Sequence, residues 1–162
     1  MTNQAHSTQW PPKIAVCVGT VVLQGDRVLL VRQAEGHPLA GQWSIPWGLV
    51  DADEAPEAAA LRETQEEAGI QAEIEGLLGL QNLSTDGWIA LIFLCRHAAG
   101  EPTDDGGVET DAAGYFSLEE MEKLGEPIET WCAWLVRRVL AGDYTLVPPQ
   151  PHNPYHPRLA FF

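Results

Sequence analysis

Residues 48–70 read GLVDADEAPEAAALRETQEEAGI, and this stretch predicts a loop followed by a helix over Pro56–Ala68. Proline is favourable in the first turn of a helix, and the alanine-rich interior has high helix propensity. Gly69 follows at the position where glycine commonly ends a helix. The sequence therefore defines both ends of the expected helix.

Three glutamates of this helix, Glu63, Glu66 and Glu67, stand at i, i+3 and i+4, so we expect them to share one face. Like charges at this spacing repel, and a fold that keeps them needs compensating positive charge. Arg62 supplies part of that charge, and a divalent cation would supply more. Clustered carboxylate oxygens favour Mg²⁺ or Mn²⁺. Taken alone, however, the spacing E-x-x-E-E is more often a solvated acidic face.

The wider segment carries more information than the three glutamates. Seven residues fit the spacing G-x5-E-x7-R-E-U-x-E-E-x-G-U, in which U is a bulky aliphatic residue: Gly48, Glu54, Arg62, Glu63, Glu66, Glu67 and Gly69. With each residue type used at about 7%, seven fixed positions agree by chance roughly once in 10⁸ starts. The pattern resembles the Nudix box, a loop–helix–loop in that family. One departure is Thr64 at the first U position. A second lies just before the box, where such proteins often have two glycines and this chain has Trp47 before Gly48.

The resemblance extends beyond the box. Residues 42–48 (QWSIPWG) are similar to the usual entry to it, and residues 114–121 (GYFSLEEM) to a later strand-then-helix junction. Together these parts span roughly residues 14–140. The resemblance implies an α+β fold, the Nudix α/β/α sandwich with a mixed sheet between helices. It also implies a metal-dependent hydrolase that cleaves the diphosphate linkage of a nucleoside diphosphate derivative by attack of water at phosphorus.

The resemblance also assigns roles to residues of the box. Glu63, Glu66 and Glu67 are the implied ligands of Mg²⁺ or Mn²⁺, helped by a backbone carbonyl near Gly48. Arg62 is expected to neutralise and orient the glutamates. Glu54 is expected to brace the loop against the helix.

A further acid from later in the chain is expected to act as an additional metal ligand or as the general base. Glu109 is our candidate, because it lies in an acidic loop shortly before the predicted strand at Tyr115 and Phe116. A solvated loop acid is an equally good interpretation of Glu109. Three weaker competitors lie in the same loop: Asp104, Asp105 and Asp111.

Periodicity and turn residues predict the remaining elements. A β-hairpin is expected from residues 14–23 and 27–32, which flank Gln24-Gly25-Asp26. Two more strands are expected near residues 72–80 and 88–97. Ser117 with Glu120 resembles a capping box that opens a short helix, and a second helix follows over residues 128–139. Trp131 and Trp134, at helical spacing there, indicate core or interface more than a ligand platform.

These elements predict one Nudix domain over residues 1–162. Its core is expected at about residues 13–142, between an N-terminal tail (1–12) and a Pro-rich C-terminal tail (148–162). Nudix subgroups often carry a substrate tag after the box. The segment LSTDGW (83–88) has neither the Pro typical of ADP-ribose nor the Tyr typical of diadenosine polyphosphates, so the substrate stays open.

The charge of the chain limits the kinds of molecule it can bind, and its cysteines bear on its location. The chain has nine basic and 23 acidic residues, a formal net charge of −14, which disfavours nucleic acid polymers and anionic membranes. A small nucleotide-like diphosphate fits if a bound cation reverses the local field. Three isolated cysteines in apolar surroundings (Cys17, Cys95 and Cys132) predict buried free thiols. With a polar N-terminus, they favour a cytoplasmic location.

Two other functions stay open from the sequence. One is a Nudix-fold nucleotide-binding or regulatory module without turnover, against which the intact glutamate set argues. The other is isomerase chemistry on a diphosphate, for which no paired Cys and Glu is found elsewhere. The oligomeric state is also open, and a homodimer is compatible with the sequence.

Overall fold

A computed structural model describes residues 14–82, 87–154 and 156–162. The predicted N-terminal tail (1–12) and residues 83–86 of the expected tag segment lie outside the described residues. These ranges contain seven strands and three helices in chain order: β1 (Ala15–Gln24), β2 (Arg27–Gln33), β3 (Trp43–Ser44), β4 (Trp47–Leu49), α1 (Pro56–Ala68), β5 (Gln71–Asn82), β6 (Trp88–Ala99), β7 (Thr110–Phe116), α2 (Leu118–Lys123) and α3 (Thr130–Leu140).

The strands form one mixed sheet in the order β3-β2-β1-β6-β5, with β4 also paired to β1 and β7 to β2. β1 and β6 run parallel. The other pairs are antiparallel. The predicted hairpin is β1–β2, in which Gly25 adopts the positive φ that a tight turn requires. The expectation of a mixed sheet is therefore confirmed.

Helices cover both faces of the sheet. On one face, α1 contributes Ala59, Ala60 and Ala68 to a core with β1, β2 and β6. On the other face, Met121 of α2 and the buried residues of α3 pack against the same strands. The α/β/α sandwich implied by the resemblance is confirmed, and small side chains let α1 lie close to the sheet.

Thr64, the departure from the aliphatic pattern of the box, has a partner in this packing. Its hydroxyl lies 2.6 Å from the hydroxyl of Thr20 on β1, and both residues are fully buried. The Thr64 hydroxyl also donates to the carbonyl of Ala60 over 2.8 Å. A polar pair thus replaces an apolar contact between α1 and the sheet without leaving a buried hydroxyl unpaired.

The local signals read from the sequence set the helix ends. Pro56 starts α1, and Gly69 ends it in the left-handed conformation with φ 68°. Ser117 and Glu120 form the predicted capping box of α2. Helix α3 is capped by a carboxylate, because Glu129 accepts hydrogen bonds from the backbone N–H groups of its first turn.

The C-terminal segment has turns and isolated bridges, and it packs against the sandwich. Val147 bridges Leu77 of β5, and the ring of Phe161 lies 5.5 Å from that of Phe93. A Cβ at Gly76 would overlap the backbone of Val147. Glycine at this position therefore lets the segment lie directly on β5.

Two further features concern the cysteines and the helices. Cys17, Cys95 and Cys132 are free and buried, as predicted. Within the described ranges, none of the helices has the length and apolar character needed to cross a membrane.

Candidate functional site

The pairing of β4 with β1 brings the entry of the box against α1. Gly19 lies opposite Trp47, and Val18 opposite Gly48. The backbone N–H of Trp47 donates to Glu67 Oε2 over 2.9 Å. A Cβ at Gly48 would overlap the carboxylate of Glu63, so only glycine lets this carboxylate lie against the backbone. The strand thus presents backbone groups to two of the three glutamates.

Arg62 is the hub of the charged network on α1. Its guanidinium binds both oxygens of Glu54, at 3.0 and 2.9 Å, and donates to the carbonyl of Leu49 over 3.1 Å. Its Nη1 donates to Glu63 over 2.7 Å and to Glu66 over 3.0 Å. The bidentate contact holds the pKa of Glu54 below its usual range. Glu54 also accepts from the N–H of Asp51, so the expected brace between loop and helix is present.

The three glutamates differ in their surroundings. Glu67 is 2% exposed and Glu63 is 8% exposed, whereas Glu66 is solvent-exposed. Burial raises the pKa of Glu67 to about 8, although the N–H of Trp47 opposes the shift. Burial also raises the pKa of Glu63, against the effect of Arg62. Two buried carboxylates in one place need a compensating charge, and Arg62 donates to Glu63, whereas Glu67 accepts from the uncharged N–H of Trp47.

The donor chemistry fits a divalent cation, because the residues are hard oxygen donors with excess negative charge. In the described part of the chain, however, no three Asp, Glu, His or Cys side chains already form a ligand set. The contacts of Arg62 explain this, since its Nη1 holds the carboxylates of Glu63 and Glu66. Each contact uses only one carboxylate oxygen, Oε1 of Glu63 and Oε2 of Glu66, so the second oxygen of each carboxylate is not held by Arg62.

The loop before β7 brings Glu109 towards this cluster. The negative charge of Glu109 contributes to the raised pKa values of both Glu63 and Glu67. Its backbone carbonyl accepts from the N–H of Ala34 over 2.8 Å. The next residue, Thr110, is fully buried and donates its hydroxyl to the backbone carbonyl of Glu67 over 2.7 Å. The loop is therefore attached directly to the C-terminal half of α1.

The competing acids of this loop have other partners. Asp111 pairs with Arg32 at 2.7 Å, and Asp104 accepts from the N–H of Gly106 at 2.8 Å. Asp105 accepts from three consecutive backbone N–H groups, those of Val108, Glu109 and Thr110, at 2.9, 2.8 and 3.1 Å. Glu109 therefore differs from the other acids of the loop, because its charge acts on Glu63 and Glu67.

Asp105 has a structural role that the sequence did not reveal. Burial alone would raise the pKa of its carboxyl, but the backbone hydrogen bonds of residues 107–110 outweigh burial and hold the pKa below its usual range. An Asp followed by two glycines indicates a turn. That signal could have identified the residue that organises the loop carrying Glu109.

A cavity of about 250 Å³ lies on the α3 face of the sheet, next to β4. Its wall is mostly apolar and combines β1, β3, β4, β5, β6 and α3: Cys17, Val18, Gly19, Leu39, Ser44, Ile45, Trp47, Gln81, Ala90, Ile92, Glu129, Trp131 and Cys132. Trp131 packs on the core, as predicted, but it also lines this cavity, whereas Trp134 is exposed. No local sequence pattern pointed to the cavity, since its wall comes from six separate elements.

Comparison with known proteins agrees with this fold. A sequence profile described as the NUDIX domain matches residues 13–135, most of the chain. The protein therefore belongs to the Nudix family, as the resemblance of residues 48–70 implied.

Relatives with different functions share this domain. A MutT-like protein of Streptomyces ambofaciens is 32% identical over 76% of this chain and 78% of its own length. An ADP-ribose pyrophosphatase of Methanocaldococcus jannaschii is 29% identical over 68% of this chain and 66% of its own. The NAD-capped RNA hydrolase NudC of Pseudomonas aeruginosa is 31% identical over 70% of this chain, but only 40% of its own. The chain thus spans less than two thirds of the latter two relatives.

Solved structures share the fold. A NUDIX hydrolase from Nitrosomonas europaea superposes with a TM-score of 0.70 at 21% identity, covering 93% of this chain and 77% of the other. A MutT NUDIX hydrolase from Burkholderia pseudomallei superposes with a TM-score of 0.66 at 29% identity, covering 78% of this chain and 98% of the other. The first likeness concerns the fold alone.

Proposed function

We propose that this protein is a metal-dependent pyrophosphohydrolase that cleaves the diphosphate linkage of a nucleoside diphosphate derivative by attack of water at phosphorus. The observation that carries the proposal is the pair of buried carboxylates, Glu63 and Glu67, held against the backbone of Trp47 and Gly48. Burying two acids is costly, and a surface helix has no reason to retain them. A cation-binding site gives them a function.

The residues proposed to hold Mg²⁺ or Mn²⁺ are Glu63, Glu66 and Glu67, with the backbone carbonyl of Gly48. When bound, the divalent cation supplies positive charge for the diphosphate oxygens and lowers the pKa of a water molecule. Arg62 keeps the carboxylates of Glu63 and Glu66 beside each other through its Nη1. The N–H of Trp47 fixes the orientation of Glu67.

Glu109 is proposed as the residue that accepts the proton of the attacking water or adds a further ligand. Support comes from its electrostatic interaction with both Glu63 and Glu67. Its loop is also held by Asp105 and by the contact of Thr110 with α1. A base need only reach the water directly or through one other water.

The proposed substrate is small and nucleotide-like. One relative is named for ADP-ribose and another for NAD-capped RNA, so the family alone does not select between them. A net charge of −14 opposes the approach of a polyanionic chain, which favours a small molecule over RNA. We also propose a single domain, and a cytoplasmic location on the basis of the three buried free thiols.

The test is a panel assay on the full chain with excess Mg²⁺ or Mn²⁺. Nucleoside diphosphate sugars, dinucleotides and ADP-ribose are incubated with the protein, and phosphate is measured after phosphatase treatment. Hydrolysis of at least one compound is expected, with loss of activity in excess chelator and in Glu67→Gln. Glu122→Gln, the same change on an exposed residue of α2, is the matched control. Binding of these compounds without hydrolysis would favour the nucleotide-binding module instead, and full turnover in chelator would exclude the metal site.

A further inference from the structure

Gln33, the last residue of β2, has a buried side chain on the α1 face of the sheet. Leu29 and Val31 of the same strand pack in the core beneath α1, and the alternation of side chains along a strand places Gln33 on that face as well. The residue is 2% exposed, and its Nε2 has no hydrogen-bond partner among the described residues. Buried donors nearly always have a partner, because an unpaired one keeps its desolvation cost. The unpaired amide therefore points to a role other than stabilising the fold.

The contacts of the neighbouring backbone locate Gln33 between Glu67 and Glu109. Its register partner on β7 is Thr110, whose hydroxyl donates to the backbone carbonyl of Glu67 over 2.7 Å. The next residue of the chain, Ala34, donates its N–H to the backbone carbonyl of Glu109 over 2.8 Å. Gln33 is thus connected through one neighbour to each of the two acids.

The main chain of Gln33 is held on both sides. Its N–H donates to the carbonyl of Gln42 over 3.0 Å, and its carbonyl accepts from the N–H of Gly41 over 2.8 Å. The side-chain amide therefore extends towards α1 from a fixed point of the backbone.

The amide of Gln33 acts on the carboxylate of Glu67. Burial raises the pKa of Glu67, and the backbone N–H of Trp47 and the amide of Gln33 both oppose the rise. A donor has this effect when its positive end is directed towards the carboxylate. Trp47 holds Oε2 of Glu67 from β4, at 2.9 Å. The carboxylate is therefore influenced by donors on two strands, β4 and β2.

We propose that Gln33 is a positioning residue of the candidate site, whose side-chain amide donates to the carboxylate of Glu67 and holds it in the orientation that binds a divalent cation. The inference rests on the proposed function for the identity of the site. Carboxylates that bind metals are themselves oriented by hydrogen bonds from the surrounding residues, and loss of such a partner costs roughly 10–100-fold in metal affinity or activity. An amide suits this position because it donates without bringing a positive charge that would compete with the cation.

The first test measures binding of Mn²⁺ to the full chain without substrate, by electron paramagnetic resonance of the free ion. Gln33→Met keeps the approximate size of the side chain and removes the amide. We expect this variant to bind Mn²⁺ roughly 10–100-fold more weakly than the parent. Glu67→Gln is the reference, because it removes the charge of the proposed ligand itself.

Gln81→Met is the matched control. Gln81 also has a buried amide atom without a partner among the described residues, but it lines the cavity on the α3 face of the sheet. The variant should bind Mn²⁺ with parental affinity. An equal loss in Gln81→Met and Gln33→Met would overturn the inference.

Thermal unfolding in EDTA near neutral pH separates positioning from a structural role. Nε2 of Gln33 has no hydrogen bond to lose, so Gln33→Met should leave the Tm unchanged or raise it. Thr20→Val is the comparison, since it removes a buried hydroxyl that is paired with Thr64, and it should lower the Tm. A loss of Tm in Gln33→Met as large as in Thr20→Val would overturn the inference.

Kinetics at high Mn²⁺ concentration separate positioning of Glu67 from contact with the substrate. When Mn²⁺ is saturating, Gln33→Met should regain most of the parental kcat with an unchanged KM, because the change acts on the affinity for the cation. A raised KM at saturating Mn²⁺, together with parental Mn²⁺ affinity, would indicate a contact with the substrate and overturn the inference.

The outcomes also separate this inference from the proposed function. Parental Mn²⁺ affinity in Gln33→Met, with weaker binding in Glu67→Gln, would overturn the inference and leave the proposed metal site standing. Weaker binding in both variants, without hydrolysis of any compound by the parent, would support the role of Gln33 and overturn the proposed hydrolase. Parental affinity in Glu67→Gln, or no binding of Mn²⁺ by the parent, would overturn both.

Discussion

The backbone N–H of Trp47 and the carboxylate of Glu67 are joined by a hydrogen bond of 2.9 Å between β4 and α1. This bond stabilises the charged form of a carboxylate that burial otherwise disfavours. The same residue lines the cavity with its side chain. The orientation of Glu67 and the shape of the cavity wall therefore depend on one short strand.

Replacing Glu67 by Gln is expected to separate activity from stability. The amide keeps the shape of the side chain and still accepts from Trp47, but it loses the charge that a divalent cation requires. We expect kcat to fall roughly 10²-fold or more. In EDTA, at a pH above the raised pKa of Glu67 (about 8), the variant should unfold at the same temperature as the parent or higher, because a buried charge has been removed. Steady-state kinetics and calorimetry check the two parts.

Glu122→Gln makes the same chemical change on the exposed side of α2 and should alter neither kcat nor Tm. If Glu67→Gln hydrolysed at the parental rate with saturating Mg²⁺, residues 63–67 would not be the metal site. If it lost activity together with its cooperative unfolding, the residue would be structural.

Glu126 lies outside the candidate site, and its lowered pKa should make the stability of the fold depend on pH. Hydrogen bonds from the indole of Trp43 at 2.6 Å and from Arg32 at 3.0 Å hold the pKa of Glu126 below its usual range. A carboxyl whose pKa is lowered on folding stabilises the fold above its unfolded pKa, and this contribution is lost as the pH falls through its folded pKa. Glu126→Gln should therefore be less stable than the parent near neutral pH.

The difference in Tm between parent and Glu126→Gln should shrink as the pH falls from the unfolded pKa of a glutamate, about 4.3, through the lower folded pKa of Glu126. Thermal unfolding at a series of pH values measures it. A difference that stays constant with pH would show that the charge of Glu126 is irrelevant to stability.

The sequence predicted α1 well because its ends depend on local residues. Pro56 and Gly69 act within one turn of the helix, and the capping box of Ser117 acts within α2. The spacing of Glu63, Glu66 and Glu67 also placed them on one side of a helix. It could not show that Glu63 and Glu67 are buried while Glu66 is exposed, since this depends on how α1 lies against β1 and β4.

The cavity lay beyond sequence-based prediction for a related reason. Ser44 and Trp47 are three residues apart, but Gln81 and Trp131 reach the same wall through the pairing of β5 with β6 and the packing of α3. Only the assembled sheet and its packing against α3 bring these elements together. No local pattern in the chain records which polar side chains then lack a partner.

Glu109 and Asp111 offer a direct comparison of two acids of similar position. Glu109→Gln is expected to lower kcat by roughly 10–10⁴-fold with a smaller effect on KM, as for loss of a general base. Asp111→Asn should change kcat much less, because Asp111 is paired with Arg32 and not with the glutamates. Steady-state kinetics of both variants with one substrate provide the measurement. If Asp111→Asn were the damaging change, or if neither mattered, the base would be sought within the box, at Glu63.

Asp105 is expected to act on catalysis through Glu109. Its carboxylate accepts from the N–H groups of Val108, Glu109 and Thr110, which fixes the loop just before β7. Asp105→Asn replaces one accepting oxygen by an NH₂ group that cannot accept. The loop should loosen, and kcat should fall roughly 10–10²-fold, a typical cost of a small misplacement of a catalytic group. Amide hydrogen exchange of residues 106–110 should become faster in the variant.

A double-variant cycle tests whether Asp105 works through Glu109 or independently. If it positions Glu109, adding Asp105→Asn to Glu109→Gln should cause little further loss, because the group being positioned is already gone. Asp104→Asn is the control, since Asp104 accepts from Gly106 in the same loop at 2.8 Å. It should leave kcat and the exchange of residues 108–110 near parental values. Multiplicative losses in the double variant, or an equal loss in Asp104→Asn, would show that Asp105 does not act by holding Glu109 in place.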